Sequence, residues 1–108
     1  MAKGYHKTTG MGGGGMMQQL QRLQQQIAEA QERLAQETVT VTAGGGAVKI
    51  TMTGDQRCQA VEIAPELLQD ADAEMLQDLL MTAFNLALDK SRELQAEVMG
   101  PLAGSLPF

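Results

Sequence analysis

The stretch that decides the fold is Thr38–Ala64, TVTVTAGGGAVKITMTGDQRCQAVEIA. Apolar and polar residues alternate along three runs within it, and this alternation places the apolar side chains on one face of a pleated strand. Two glycine-containing breaks separate the runs at hairpin distance, Gly44–Gly46 and Gly54–Asp55. The third run carries Val61 and Ile63 on one face. The stretch therefore predicts a three-stranded antiparallel meander with one apolar face, which the rest of the chain must cover.

A long helix is predicted before this stretch, from Met16 to about Glu37. Its apolar residues recur at spacings of four and three, which are the a and d positions of a heptad repeat. Glutamines dominate the positions between them, and so narrow an apolar seam suits packing on one neighbouring helix. The seam consists of Met16, Leu20, Leu23, Ile27, Ala30 and Leu34.

A second long helix is predicted after the stretch, from about Asp72 to Met99. Asp70 and Asp72 offer side chains that can cap its first turn. Gly100 followed by Pro101 is a strong signal for its end. The residues between the sheet and this helix, 65–68, indicate a short turn of helix or a docked loop.

The predicted lengths indicate that both helices extend beyond the sheet. About 28 helical residues span roughly 42 Å, whereas a strand of about seven residues spans roughly 23 Å. The apolar stripe of the second helix is broad at first and thin after Lys90. We therefore expect the first half of that helix to cover the sheet and the second half to leave it.

The composition favours a single small domain that shares its core with a second copy. The chain has 108 residues and only three aromatic ones, Tyr5, Phe84 and Phe108. Eight methionines supply flexible core filler. Because domains this small bury a modest fraction of their surface, we predict an obligate homodimer.

Cysteine usage and hydropathy bear on the location of the protein. The one cysteine, Cys58, cannot form an internal disulfide, which suits a reducing compartment. The sequence shows no run of about 20 apolar residues and no signal-peptide pattern. We predict a soluble, cytoplasmic protein that does not associate with membranes.

Three regions of the chain differ in composition, residues 1–15, 16–100 and 101–108. Residues 1–15 hold six of the twelve glycines, with Lys3 and Lys7 and no acidic residue, which predicts a flexible arm of charge +2. Residues 16–108 carry six basic and thirteen acidic side chains, a balance of -7 within a total of -5. Residues 101–108 form an apolar tail that is too short to be a core element.

The sequence contains no recognisable set of catalytic residues. Gly44–Gly46 joins two strands, so we interpret it as a turn rather than a phosphate cradle. Cys58 lacks a nearby histidine and is expected to pack as a small apolar residue, and His6 has no second metal ligand beside it. The carboxylates between Glu66 and Asp78 suit helix capping and a solvated face better than a metal site. We predict a non-enzymatic protein without a cofactor, a metal or a small-molecule substrate.

The basic residues are few and allow two interpretations. In the first, they provide solubility and pair with carboxylates on their own helices. In the second, a dimer brings Arg22, Lys90 and Arg92 of the overhanging helices to a shared cleft that contacts phosphates, although the net charge is negative. The full set of candidate DNA contacts is Arg22, Arg33, Lys90, Arg92, Lys3 and Lys7.

Several blocks of the sequence resemble the YbaB/EbfC family of nucleoid-associated proteins, in order and with matching spacing. The blocks are MMQQLQRLQQQ at Met16–Gln26, AGGGAVKITMTG at Ala43–Gly54, VEIAPELL at Val61–Leu68, DLLMTAFN at Asp78–Asn85 and MGPLAG at Met99–Gly104. The resemblance spans residues 16–108. The glycine-rich arm and the strongly acidic folded part depart from the family pattern.

This resemblance implies an α+β fold in the order α-β-β-β-α and a tweezer-like homodimer with projecting helices. It also implies cytoplasmic, nucleoid-associated binding of double-stranded DNA with low sequence specificity, with effects on transcription or nucleoid organisation. The candidate contact residues come from charge and position and not from the family. The alternative is a dimeric adaptor whose glutamine-rich helices and apolar tail dock another protein, with weak or no DNA binding.

Overall fold

The computed structural model describes the backbone of residues 2–103 and the side chains of residues 15–102. Residue 1 and residues 104–108 lie outside the described part, and the latter make up most of the predicted tail, residues 101–108. The predicted α-β-β-β-α order is confirmed, and the segment expected to be a short turn of helix or a docked loop forms a short helix. The elements are α1 (Ala2–Gln36), β1 (Thr38–Ala43), β2 (Val48–Thr53), β3 (Cys58–Ile63), α2 (Pro65–Asp70) and α3 (Ala73–Ala103).

The three strands form the predicted antiparallel meander in the order β1-β2-β3. Val41 pairs with Ile50, and Ile50 pairs with Val61, so these three side chains share one face of the sheet. The turn between β1 and β2 needs its glycines, because Gly44, Gly45 and Gly46 have φ values of 64°, 69° and 92°. The interpretation of this segment as a turn is confirmed.

The first half of α3 covers the apolar face of β1 and β2, as predicted. Its small residues Ala83 and Ala87 are fully buried and let the helix approach the sheet closely. They pack in one core with Val41, Val48, Ile50 and Met52 of the sheet. The helix starts as expected, since the Asp72 carboxylate accepts a hydrogen bond from the Met75 backbone N–H at 2.8 Å.

The third strand remains largely uncovered by the helices. Val61 lies on the same face as the buried Ile50, yet 43% of its surface is exposed. Cys58, at the start of β3, is free and exposed, so the expectation that it packs as a small apolar residue was wrong. The reason is that α3 crosses only β1 and β2, and β3 forms an open edge of the sheet.

The second half of α3 leaves the sheet and packs on α1. Ala30 and Leu34 of the α1 seam are buried against Val98 of α3, which forms a second apolar cluster. The half-buried residues around this cluster are Leu94, Met99 and Leu102. The two helices therefore form a single arm that projects from the sheet, and the molecule measures 85 × 20 × 17 Å.

Both long helices extend further than the sequence signals suggested. α3 continues to Ala103 with Pro101 inside it, so the predicted end at about Met99 was wrong. The half-buried Leu102 packs against the α1–α3 cluster, which favours helical structure past the local stop signal. α1 begins at Ala2 rather than Met16. The division of the chain into an arm of residues 1–15, a domain of 16–100 and a tail of 101–108 stays a prediction.

The arm formed by α1 and the second half of α3 joins the sheet at a close contact around Gly54. The Gly54 backbone N–H donates to the Glu37 carbonyl, just after α1, at 3.0 Å. The buried Ser91 hydroxyl of α3 donates to the Thr53 carbonyl at the end of β2 at 2.8 Å. A Cβ atom at position 54 would lie 2.7 Å from the Leu34 side chain and 3.0 Å from its carbonyl oxygen. Only glycine fits where α1, β2 and α3 meet.

Replacing this glycine tests whether the junction is as tight as the structure indicates. We expect Gly54→Ala to lower the free energy of unfolding by roughly 1–3 kcal/mol, because the added methyl group must displace Leu34. Gly100→Ala is the matched control, since a Cβ atom at position 100 would have no neighbouring atom within 4 Å. That control should raise stability by about 0.5–1 kcal/mol through the higher helix propensity of alanine. Urea unfolding followed by circular dichroism, at one fixed protein concentration, measures both. Equal effects of the two substitutions would contradict a crowded junction.

Candidate nucleic-acid interface

The two arginines of α1 lie on the same side of the helix. Arg22 and Arg33 are eleven residues apart, which is close to three full turns and about 16 Å along the axis. Gln26 and Glu29 lie between them on that side. Arg22 precedes the seam residue Leu23 by one position and so points about 100° away from it. The rest of this strip borders the end of α3.

Three of the predicted DNA contacts are engaged with carboxylates on their own helices. The Arg33 Nε atom donates to the Glu37 carboxylate at 2.9 Å. The Lys90 ammonium lies 3.3 Å from the Glu93 carboxylate, and the Arg92 guanidinium lies 3.5 Å from that of Asp89. All these side chains are more than a third exposed. Such exposed pairs contribute little to stability. The assignment of these residues as DNA contacts stays a prediction.

Lys90 and Arg92 do not lie where the shared-cleft interpretation required them. Ser91 between them is buried against the end of β2, so both sit where α3 still covers the sheet and not on its overhanging half. Two consecutive steps of a helix also separate them by about 200° around the axis. Lys90 lies beside Val39 of β1. The two residues thus lie near the base of the arm, and the expectation that a dimer brings them to one cleft with Arg22 stays a prediction.

Arg22 differs from Arg33, Lys90 and Arg92 in having no carboxylate partner among the side chains described, residues 15–102. It projects from the part of α1 that extends past the packed α1–α3 cluster. Lys3 and Lys7 belong to the backbone of α1 as well, but their side chains lie outside the described residues. Arg22, Lys3 and Lys7 thus all belong to the outer part of α1, the part that precedes Glu29.

The sequence distributes charge unevenly along this elongated molecule. Residues 1–28 contain three basic and no acidic side chains, the first acidic residue being Glu29. Residues 29–108 contain five basic and thirteen acidic side chains, a balance of -8. The acidic residues around α2 and the start of α3 lie at the other end from the outer part of α1. A polyanion is therefore attracted to the outer part of α1 and repelled by the sheet end.

Sequence reasoning missed two features of this surface. Arg57, in the turn before β3, is exposed and has no ion pair among the described side chains, but Asp55 lies in the same turn. The acid-free stretch of residues 1–28 was also missed, because the compositional boundary was placed at residue 15, just before the predicted start of the helix. The absence of any Asp or Glu before Glu29 was readable from the sequence.

The described residues offer little for other kinds of chemistry. Within residues 15–102, no three His, Cys, Asp or Glu side chains come together as ligands for a metal ion. None of the helices in the described part combines the length and the hydropathy of a membrane span.

Comparison with known proteins identifies relatives over almost the whole chain. A sequence model described as the YbaB/EbfC DNA-binding family matches residues 9–106. A protein named nucleoid-associated protein from Desulforamulus reducens is 49% identical over 91 residues, which is 84% of this chain and 87% of that protein. A protein of the same name from Pelotomaculum thermopropionicum is 45% identical with the same coverage. One from Ruminiclostridium cellulolyticum is 39% identical over 108 residues, 98% of this chain and 94% of that protein.

A solved structure shares the fold. The crystal structure of the uncharacterized protein HP0035 from Helicobacter pylori aligns with a TM-score of 0.70 and 23% sequence identity. The alignment covers 83% of this chain and 91% of that one. At this identity the likeness shows the fold alone.

Proposed function

The chain belongs to the YbaB/EbfC DNA-binding family, and from this premise we propose that it binds duplex DNA through the outer part of α1, as a nucleoid-associated homodimer. The family and the names of the relatives confirm the expected class, a nucleoid-associated DNA-binding protein. They do not favour the alternative of an adaptor without DNA binding. The family is also not an enzyme family.

The observation that carries the proposed contact is the acid-free outer part of α1. Residues 29–108 carry thirteen acidic and five basic side chains, whereas residues 1–28 carry three basic side chains and no acidic one. Charges farther away than about 8 Å are largely screened at physiological ionic strength. The negative total of -5 therefore does not prevent local binding of phosphates at the far end of an 85 Å molecule.

The glutamine-rich faces of α1 suit contact with a nucleic-acid backbone of any sequence. Gln18, Gln19, Gln25 and Gln26 flank Arg22 and are exposed. Their amides can donate to phosphate oxygens and carry no charge that would repel them. Phosphate contacts position a protein on DNA but do not read its sequence, so we expect low sequence specificity.

A homodimer would cover the apolar surface that a single chain leaves open. Val61 on the edge strand β3 continues the buried face of Ile50, and nothing in the described chain covers it. Met81 and Leu68 are also exposed, at 60% and 57%. We infer that a second copy packs over β3 and its surroundings, so that two arms project from one central sheet region and grip the duplex between them.

Salt dependence tests the proposed contact at Arg22. We expect Arg22→Gln to weaken binding to a short duplex by roughly tenfold per contact, about 1.4 kcal/mol. If each subunit of a dimer loses one phosphate contact, the slope of log K against log salt should fall by about 1.8 in magnitude. Fluorescence anisotropy with labelled DNA, titrated at several salt concentrations, measures both quantities.

Arg57→Gln is the matched control, because Arg57 is likewise exposed and unpaired among the described side chains but lies in the turn with Asp55. It changes the total charge by the same amount, and we expect the salt slope to stay unchanged. Equal effects of both substitutions on the slope would show that net charge, and not a contact at Arg22, governs binding. A slope that neither substitution changes would also contradict the proposed contact.

Single substitutions on β3 test the proposed subunit interface. For the wild-type protein at about 10 μM, sedimentation should give a molecular mass twice the chain mass of 11.6 kDa. Val61→Asp places a charge on the apolar face and should shift the mass toward the monomer. Ala60→Asp is the control, since Ala60 is exposed on the opposite face of the same strand. A wild-type monomer, or a dimer that Val61→Asp leaves intact, would contradict this interface.

A further inference from the structure

The α1 seam is buried only along its inner part. Leu34 and Ala30 are 3% and 9% exposed, while Leu20 and Met16 are 43% and 65% exposed. Leu23, between the two parts, is half-buried. The spacing of four and three residues continues through the whole seam without a break. We call Met16, Leu20 and Leu23 the outer seam.

α3 ends short of the outer seam. Its last residue is Ala103, and its last turn lies beside Gln26, Glu29 and Arg33 of α1. All three of these α1 residues follow the outer seam in the chain and belong to the inner part of the helix. The regular apolar stripe of α1 is therefore longer than the helix that packs on it.

The positions that flank the outer seam carry no charge. In a heptad repeat the e and g positions lie on either side of the apolar a and d positions, and their charges select the partner helix. With Leu20 at a and Leu23 at d, the e and g positions are all exposed, and they are Met17, Gln19, Gln24 and Gln26. Two copies of the outer seam can thus face each other without like charges at the contact.

This pattern also decides which partner fits the outer seam. Arg22 is the one charged residue in the stretch 16–28, and it points about 100° away from Leu23. An acidic surface would find no opposite charge at the flanking positions, and the phosphates of a duplex offer no apolar contact. An identical seam matches in spacing, in apolar character and in its neutral flanks.

The size of the outer seam limits where such a contact can form. Met16 and Leu23 are roughly 10 Å apart along the helix axis, whereas a stable interface buries about 800 Å² per partner. The outer seam alone is too small to hold two free molecules together. It can pair between chains that are already close, where the effective concentration is in the millimolar range.

We propose that the outer seam of α1 pairs with the outer seam of a second copy, as a short coiled coil between two arms. Arg22 stays outside the paired surface, so an arm can pair and contact phosphates at the same time. The pairing itself needs no DNA. Its consequence, cooperative binding of molecules that lie side by side on one duplex, rests on the proposed function.

Disulfide cross-linking of single cysteines on α1 tests the pairing. In a Cys58→Ser background, Leu20→Cys and Leu23→Cys place a thiol in the outer seam, while Gln18→Cys and Gln25→Cys place it on the opposite side of the helix. The protein is oxidised without DNA at about 1 mM, which matches the effective concentration of tethered chains. We expect the seam thiols to join two chains roughly tenfold faster than the opposite thiols. A parallel pair joins two chains of the same seam variant, and an antiparallel pair joins a mixture of the two seam variants.

A second substitution separates apolar packing from random collision. Adding Met16→Gln to Leu20→Cys should slow cross-linking about fivefold, because an apolar contact is lost from the pair. Adding Gln18→Ala instead is the matched control and should leave the rate unchanged. Circular dichroism confirms that each variant keeps its helices.

Two results would overturn the proposal. One is equal cross-linking at the seam and at the opposite side, and the other is a rate at Leu20→Cys that Met16→Gln leaves unchanged. DNA binding by the same variants is measured separately by fluorescence anisotropy. Failure of the pairing is thus distinguished from failure of the proposed DNA contact.

Discussion

The structure depends on the contact at Gly54, where the end of α1, the end of β2 and the middle of α3 meet. The backbone bond to Glu37 and the hydroxyl bond from Ser91 tie both helices to one strand end. The absence of a side chain at Gly54 lets Leu34 and Leu94 close over it. Because the helices diverge from the sheet at this point, the junction sets the direction of the arm, and everything that α1 does at its far end follows from that direction.

The length of the arm gives a negatively charged protein a surface for a polyanion. Within about 8 Å a charge acts strongly, and beyond that distance salt screens it. The acid-free residues 1–28 and the acidic residues 29–108 are separated along a molecule 85 Å long. The side chains of Arg33, Lys90 and Arg92 lie beside carboxylates, so the charge around each of them is locally balanced. Under the proposed contact through α1, this separation gives a protein of negative total charge a local surface that suits phosphates.

Local signals in the sequence predicted most of the fold, and tertiary contacts decided what was missed. Alternation in Thr38–Ala64, the glycine turn and the Asp72 cap act over a few residues, so each was readable. The exposure of Cys58 depends on which strands α3 crosses, which no local pattern specifies. The end of α3 depends on packing of Leu102 on α1. Lys90 and Arg92 lie where α3 still covers the sheet. The point at which α3 leaves the sheet depends on packing, so the charge pattern of the sequence could not predict it.

The most direct test of DNA binding through α1 is a backbone amide NMR titration of the full chain with a short DNA duplex. If the outer part of α1 makes the contact, shifts and line broadening concentrate there, before Glu29, and β3, α2 and the start of α3 stay unperturbed. Perturbations centred on the sheet or on α2, with the outer part of α1 unchanged, would contradict it.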